Sequence, residues 1–231
     1  MNCIRNNIPN AITCMNLLCG CLACIAAFRC HNTLCCGLQG YQWAYVLIAL
    51  AAVFDFFDGF TARLIHAVSN IGKELDSLAD LVSFGLAPAM VLYNMMLAHG
   101  EGAWGLAAML LPVAGALRLA RFNVATNQST TFTGLPIPAN AIFWIGATAW
   151  YAVHQLALPV VLVLIVLLSW LMVCNLRMFS LKMHNVTSVR DNWAQYLQVI
   201  ATVALVIALG LPGLALAIAL YVLLSVVKHE K

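Results

Sequence analysis

Charged residues are scarce in this chain. Of its 231 residues, 8% are Asp, Glu, Lys or Arg and 64% are hydrophobic. Soluble domains carry about a quarter charged residues, so this scarcity excludes an ordinary soluble protein. Together with a mean hydropathy of +0.94, it predicts an all-α integral membrane protein whose spans contain about 20 apolar residues each.

Polar and turn-forming breaks divide the apolar sequence into about eight predicted spans. They cover residues 11–29, 42–64, 76–98, 103–122, 137–156, 158–176, 195–210 and 212–228. Only the turn around Pro159 separates the fifth span from the sixth. Because the first span lacks a strongly basic leader and a small-residue cleavage site, we expect a retained helix and not a signal peptide.

Basic residues predict the orientation. With eight spans and the N-terminus inside, ten of the eleven basic residues are cytoplasmic and only Arg29 is outside. The ten are Arg5, Arg63, Lys73, Arg118, Arg121, Arg177, Lys182, Arg190, Lys228 and Lys231. This is the positive-inside bias, and it predicts an inner-membrane protein with both termini and the acidic cluster described below on the cytoplasmic side.

The usual zinc and redox motifs are missing. The six histidines form no HExxH or other metal spacing, and Cys21-x2-Cys24 has no second pair at zinc-site distance. Eight of the nine cysteines lie in the first 36 residues, and four of these, including Cys21 and Cys24, lie in the first apolar span, where cysteine behaves as a small hydrophobe. We therefore favour a packing role, and leave open a disulfide among Cys30, Cys35 and Cys36 on the outer face.

The few acids are concentrated in one segment. Five of the eight fall between Asp55 and Asp80, in the pattern Asp55-x2-Asp58-Gly59-x2-Ala62-Arg63-x8-Gly72-x3-Asp76-x3-Asp80. Ionisable residues within a membrane segment indicate function by default. Spacings of three and four place each Asp pair on one helix face, so two antiparallel helices would present four carboxylates to a common cleft.

An all-carboxylate site favours Mg²⁺ or Mn²⁺ over zinc. Magnesium normally shares its coordination with substrate phosphates, which predicts a pyrophosphate substrate. Gly59 and Ala62 leave room beside the carboxylates, Arg63 suits a phosphate, and Asp80 is a candidate general base. A purely structural set of ion pairs is disfavoured, since only Arg63 and Lys73 are nearby to neutralise the acids.

The segment from Asp55 to Asp80 resembles, position for position, the signature of the CDP-alcohol phosphatidyltransferases. The resemblance implies a six-helix catalytic core (residues 1–182) followed by a C-terminal hairpin (183–231), a homodimer, and displacement of CMP from a CDP-linked lipid by an alcohol. It further implies that Asp55, Asp58 and Asp76 bind two metal ions, and that Asp80 is the base and touches one ion. The implied CDP-lipid contacts are Asn10, Thr13, Gly59, Ala62, Arg63 and Ser69.

Further segments resemble the phosphatidylserine synthase branch of that family. They are residues 8–20, 83–88, 118–123, 132–139 and 172–182. The glycerol-phosphate branch has Asp-Pro-x-Ala-Asp-Lys where this chain has Asp76-Ser-Leu-Ala-Asp80-Leu. The implied substrates are therefore CDP-diacylglycerol and L-serine, within membrane lipid and with no nucleic acid.

Two arginines near the end of the fourth span are candidates for binding the acceptor. Arg118 and Arg121, three residues apart, would clamp the serine carboxylate by bidentate hydrogen bonds, and Asn123 is a candidate for the same pocket. The pair would also suit an acceptor phosphate, or could serve only as a positive-inside anchor. Glycerol 3-phosphate, inositol phosphate and choline thus stay open as acceptors.

An ion-coupled transporter is the alternative from another class. Transporters often have two related halves with corresponding sites. Residues 125–231 contain only Asp191 and Glu230 as acids, so nothing repeats the Asp pattern of the first half. This asymmetry favours an enzyme.

Overall fold

The computed structural model describes residues 2–67, 69–124, 132–178 and 193–229, and these form eight helices. The helices are α1 (Asn2–Phe28), α2 (Gly40–Leu64), α3 (Asn70–Ala98), α4 (Gly102–Val124), α5 (Ile137–Tyr151), α6 (Leu158–Val173), α7 (Trp193–Leu209) and α8 (Gly213–His229). One two-residue antiparallel pairing joins β1 (Phe132–Thr133) to β2 (Arg177–Met178). The predicted all-α class is confirmed.

Four of the helices are long and apolar enough to cross a membrane. They are α1 from Asn7 onward, α2, α3 and α4, with 22, 25, 29 and 23 residues. Helices α6, α7 and α8 are apolar but shorter, and α5, at the fifth predicted span, has 15 residues. The chain is therefore a polytopic membrane protein.

Two predicted starts differ by several residues from the observed helices, and the fifth span, predicted to end at residue 156, ends as a helix at Tyr151. Helix α1 begins at Asn2 and not near residue 11, and α3 begins at Asn70 and not at 76. The earlier start of α3 has a local cause, because the Ser69 hydroxyl oxygen accepts a hydrogen bond of 3.0 Å from the Gly72 amide. This N-cap satisfies a backbone donor that would otherwise be unpaired and adds a polar turn before the apolar segment.

The chain divides into two compact units, Met1–Asn123 and Val124–Lys231. The predicted boundary between the catalytic core and the C-terminal hairpin, at 182/183, lies outside the described residues and stays a prediction. In the first unit α1 packs along α2 and α3, and α3 also packs on α2 and on the start of α4. In the second unit α8 packs between α5 and α7.

A close crossing fixes the position of α1 on α3. A side chain on Gly20 of α1 would overlap Ser83 of α3, so glycine is needed for the two backbones to approach. The Ser83 hydroxyl donates a hydrogen bond of 3.0 Å to the Asn16 carbonyl oxygen. Ser83 belongs to a π-helical turn, Leu81–Leu86, that begins directly after Asp80. Such turns are frequent at functional sites.

In the second unit, the loop before α5 is hydrogen-bonded to the end of α6. Gly134 has a φ of +73°, a conformation that favours glycine, and its amide donates 2.8 Å to the Leu176 carbonyl oxygen. The next amide, of Leu135, donates 2.9 Å to Leu171. These bonds attach the Phe132–Pro138 segment to the end of α6.

The loop between α1 and α2 contains Cys30, Cys35 and Cys36 as free thiols, so the disulfide left open above is not present. Cys30 is buried, whereas Cys35 and Cys36 are exposed. The indole N–H of Trp43 donates 2.9 Å to the Cys35 carbonyl oxygen and holds this loop against the start of α2.

Candidate active site

Three of the four predicted carboxylates converge. Asp55 of α2 and Asp76 and Asp80 of α3 each offer one oxygen, and the three oxygens lie within 4.8 Å of one another. All three side chains are half-buried. Hard divalent cations bind oxygens at about 2.0–2.6 Å, so these three oxygens are close enough together to be candidate ligands of one ion.

Asp58 lies beside this trio but is not part of it. Its side chain is only 5% exposed, and it interacts electrostatically with Asp55, Asp76 and Asp80. The Thr13 hydroxyl of α1 lies within hydrogen-bonding reach of both the Asp58 carboxylate and the Pro9 carbonyl oxygen. Asp58 therefore connects the carboxylates to α1.

The carboxylate oxygens without hydrogen-bond partners suit a bound cation. Among the described residues, Oδ2 of Asp58 and Oδ1 of Asp76 are buried and have no hydrogen-bond partner, and such acceptors are costly unless a donor or a cation satisfies them. Arg63 donates through Nε to the Gly59 carbonyl oxygen at 3.0 Å. The Lys73 ammonium lies over the Phe122 ring, 5.9 Å from its centroid. Both cations nearest in sequence thus have other contacts, and a divalent ion suits the remaining acceptors.

Helix α1 supplies one wall of the cleft. A Cβ on Gly72 would lie 3.0 Å from both Asn10 Oδ1 and Ser69 Oγ, so these two predicted CDP-lipid contacts meet at the start of α3. Thr13, the third, is buried beside Asp58.

The other three predicted contacts lie on the last turns of α2. Gly59 and Ala62 are half-buried and Arg63 is exposed. The structure does not test their role in binding a nucleotide.

Asn16 is a site residue that the sequence reasoning did not assign. It is fully buried, and its Nδ2 donates a hydrogen bond of 3.4 Å to Oδ1 of Asp80. A signal was available, because Asn10, Thr13 and Asn16 are polar residues spaced by three in an apolar helix and therefore share one face.

The predicted acceptor residues lie at the end of α4. Asn123 donates through Nδ2 to Glu74 Oε2 at 3.2 Å and to Ser77 Oγ at 3.0 Å, both on α3. Asn123 is thereby held against the helix that carries Asp76 and Asp80. Earlier on the same helix, Arg118 is half-buried and Arg121 is exposed. Their contact with an acceptor stays a prediction.

Comparisons of the sequence with known proteins indicate its family. A profile of the CDP-alcohol phosphatidyltransferase family matches residues 6–169. The chain is 30% identical over 227 residues to the CDP-diacylglycerol--serine O-phosphatidyltransferase of Helicobacter pylori (strain ATCC 700392 / 26695), over 95% of this chain and 90% of that protein.

Two relatives with the same name match over shorter regions. The one from Bacillus subtilis (strain 168) is 41% identical over 133 residues, 58% of this chain and 70% of that protein. The one from Mycobacterium leprae (strain TN) is 42% identical over 132 residues, 51% of this chain and 44% of that protein. The chain thus spans less than half the length of the mycobacterial relative. Since the family profile covers more than half of this chain, including the carboxylates of α2 and α3, the chain belongs to the CDP-alcohol phosphatidyltransferase family.

Proposed function

We propose that this protein transfers the phosphatidyl group of CDP-diacylglycerol to L-serine, which yields phosphatidylserine and CMP. The observation that carries the proposal is the convergence of Asp55, Asp76 and Asp80 on two helices within the family's matching region. The names of the relatives support serine as the acceptor, and the Helicobacter relative matches over almost the whole chain.

Asp55, Asp58, Asp76 and Asp80 would hold one or two Mg²⁺ or Mn²⁺ ions. When bound, such ions orient substrate phosphates and neutralise the charge that develops during displacement. The unpartnered oxygens of Asp58 and Asp76 support this assignment.

Asp80 accepts the proton of the serine hydroxyl in the proposed mechanism. The resulting alkoxide oxygen attacks the phosphorus that carries diacylglycerol, a new P–O bond forms, and the bond from that phosphorus to the CMP oxygen breaks. CMP leaves with the electron pair of that bond. Asn16 holds Oδ1 of Asp80 by its hydrogen bond, which directs the base toward the cleft. No protein nucleophile is needed.

The substrates would occupy opposite sides of the carboxylates. Asn10, Thr13 and Ser69, with Gly59, Ala62 and Arg63, would bind the cytidine diphosphate, and Arg118, Arg121 and Asn123 the serine carboxylate.

Exposed aromatic side chains on α2 support lateral entry of the lipid. Phe56, Phe57 and Phe60 are 63%, 49% and 47% exposed, and they flank Asp55 and Asp58 in sequence. In a membrane such side chains contact acyl chains. They would accommodate diacylglycerol while its pyrophosphate lies at the carboxylates.

The orientation and assembly belong to the same proposal. We place both termini and the active site on the cytoplasmic side of the inner membrane, on the basis of the charge distribution. A homodimer is expected from the family resemblance.

The test is CMP release by the purified protein in detergent, with CDP-diacylglycerol, Mn²⁺ or Mg²⁺, and one acceptor at a time. Serine, glycerol 3-phosphate, inositol phosphate and choline are compared. CMP release with serine alone supports the proposal. CMP release with a different acceptor, and not with serine, would identify that alcohol as the acceptor. Release with none of them would contradict a transferase and favour the transporter alternative.

The base is tested by Asp80→Asn. A general base contributes about 10²- to 10⁴-fold, so we expect kcat to fall by that factor while CDP-diacylglycerol still binds. Glu101→Gln, which makes the same chemical change in the loop beyond the other end of α3, is the matched control and should retain activity. Asp80→Asn activity within a few-fold of wild type would remove Asp80 from the base role.

A further inference from the structure

The fully buried amide of Asn16 has one oxygen with no assigned task. Its Nδ2 donates to Asp80, whereas Oδ1 is buried and has no hydrogen-bond partner among the described residues. The orientation of this amide follows from chemistry, because an ionised carboxylate only accepts hydrogen bonds and must therefore face the NH₂ group. The side-chain Oδ1 of Asn16 then lies on the far side of the amide group from Asp80.

The backbone around Asn16 is fixed, so its side-chain amide is held in position beside Asp80. The Ser83 hydroxyl donates to the Asn16 carbonyl oxygen at 3.0 Å, and Gly20, one turn further along α1, permits the close approach to Ser83. A buried acceptor held this firmly is costly when left unsatisfied. Its position next to the proposed base suggests that the missing donor comes from the substrate.

We propose that Asn16 Oδ1 accepts a hydrogen bond from the ammonium group of the acceptor amino alcohol, and so selects for an amine beside the reacting hydroxyl. This inference rests on the proposed function. Serine carries its hydroxyl and its ammonium on adjacent carbons. Two neighbouring acceptors, a carboxylate oxygen of Asp80 and Oδ1 of Asn16, therefore match the two donors of one substrate molecule.

The charge of the cleft supports an ammonium at this position. An acceptor oxygen cannot bind the serine carboxylate, which has no proton to donate, and Asp55, Asp76 and Asp80 lie close by. The anionic end of serine is thus directed away from Asn16, toward the arginines proposed above. Asn16 and the arginines would together fix both ends of the acceptor.

The test compares L-serine with 3-hydroxypropionate, which is serine without the amine. Wild type should prefer serine strongly in kcat/KM. A hydrogen bond to a charged group contributes enough for about a tenfold or larger effect, so Asn16→Ala should raise the KM for serine about tenfold or more. The variant should also lower the preference for serine over 3-hydroxypropionate by a similar factor.

A second variant separates acceptor binding from the orientation of the base. Asn16→Asp keeps an acceptor oxygen but loses the donor to Asp80, so we expect a lower kcat with the preference for serine retained. Asn94→Ala is the matched control, because Asn94 is a buried asparagine that donates to Met90 of its own helix about 21 Å along α3 from Asp80. It should leave the preference unchanged.

Each result leads to a decision. If Asn16→Ala lowers kcat/KM equally for both acceptors, Asn16 only positions the base and the inference is wrong. If Asn16→Ala weakens Mn²⁺ binding tenfold, measured by Mn²⁺ titration of the purified protein, Oδ1 is a metal ligand and the inference is again wrong. If wild type releases no CMP with serine but does so with another alcohol, the proposed function fails and the inference with it.

Discussion

Replacement of Asp76 by Asn should affect stability in opposite directions without and with a divalent ion. Asp76 belongs to two of the three oxygen pairs that lie within 4.8 Å. Two unit charges at that separation repel by about 3 kcal/mol at an effective dielectric constant of about 20. Relaxation, water and protons absorb part of this repulsion. We expect Asp76→Asn to stabilise the ion-free protein by about 1–3 kcal/mol.

With a divalent ion bound, Asp76→Asn should be less stable than wild type. A ligand at 100 times its dissociation constant stabilises a protein by about 2.7 kcal/mol. Removal of one of three converging carboxylates lowers the affinity for a hard cation, and Oδ1 of Asp76 is one of the buried oxygens without a partner. Asp76→Asn should therefore lose most of the stabilisation that Mg²⁺ or Mn²⁺ gives to wild type.

The assay is thermal unfolding of the detergent-solubilised protein, followed by tryptophan fluorescence, with EDTA or with Mg²⁺ or Mn²⁺. For a chain of this size 1 kcal/mol corresponds to about 2–4 °C in Tm, so both effects are measurable. Glu101→Gln removes a carboxylate outside the cluster and should retain the wild-type shift of Tm on addition of Mg²⁺ or Mn²⁺. A lower Tm for Asp76→Asn in EDTA, together with a wild-type ion-induced shift, would refute the reasoning.

Three further predictions concern the acceptor, the helix crossing and the topology. Arg121→Ala should raise the KM for serine about tenfold without a similar change for CDP-diacylglycerol, and an unchanged KM would remove Arg121 from the acceptor site. Gly20→Ala should lower the free energy of unfolding by about 1–3 kcal/mol, measured by thermal unfolding, because its Cβ would overlap α3. Cys35 and Cys36 are exposed and should react with a membrane-impermeant maleimide added outside intact cells. Cys30 should not react, because burial raises its pKa to about 12, and labelling from the cytoplasmic side alone would reverse the proposed orientation.

The carboxylate trio could be predicted because it depends on two short-range features. Asp76 and Asp80 are four residues apart and share a helix face, and the connection between α2 and α3 is short enough to return α3 beside Asp55. The distinct position of Asp58 was harder to foresee. A side chain three residues further along a helix is offset by about 60° around the helix axis, and with this offset Asp58 contacts α1, where Thr13 lies.

The contact between Asn16 and Asp80 could not be predicted from local patterns. It depends on the position of α1 along α3, which is set by the fit of Gly20 against Ser83. It also depends on the π-helical turn at Leu81–Leu86, which changes the direction of side chains after Asp80. Neither the helix crossing nor the π-helical turn produces a repeating pattern of residues from which it could be predicted.

Helix α3 also explains how an apolar chain can keep a charged site. Its first part, Asn70–Asp80, contains all of its Asp, Glu, Lys and Arg residues, and the 18 residues Leu81–Ala98 contain none of these four types. Eighteen helical residues rise about 27 Å, close to the roughly 30 Å thickness of a bilayer's hydrocarbon core. When Leu81–Ala98 spans the hydrocarbon, Asp80 therefore lies at its boundary and Asp76 one turn further toward water. A water-soluble alcohol and a lipid phosphate can both reach this depth. A carboxylate placed several residues further along α3 would be accessible only to the lipid and would carry the full cost of burial.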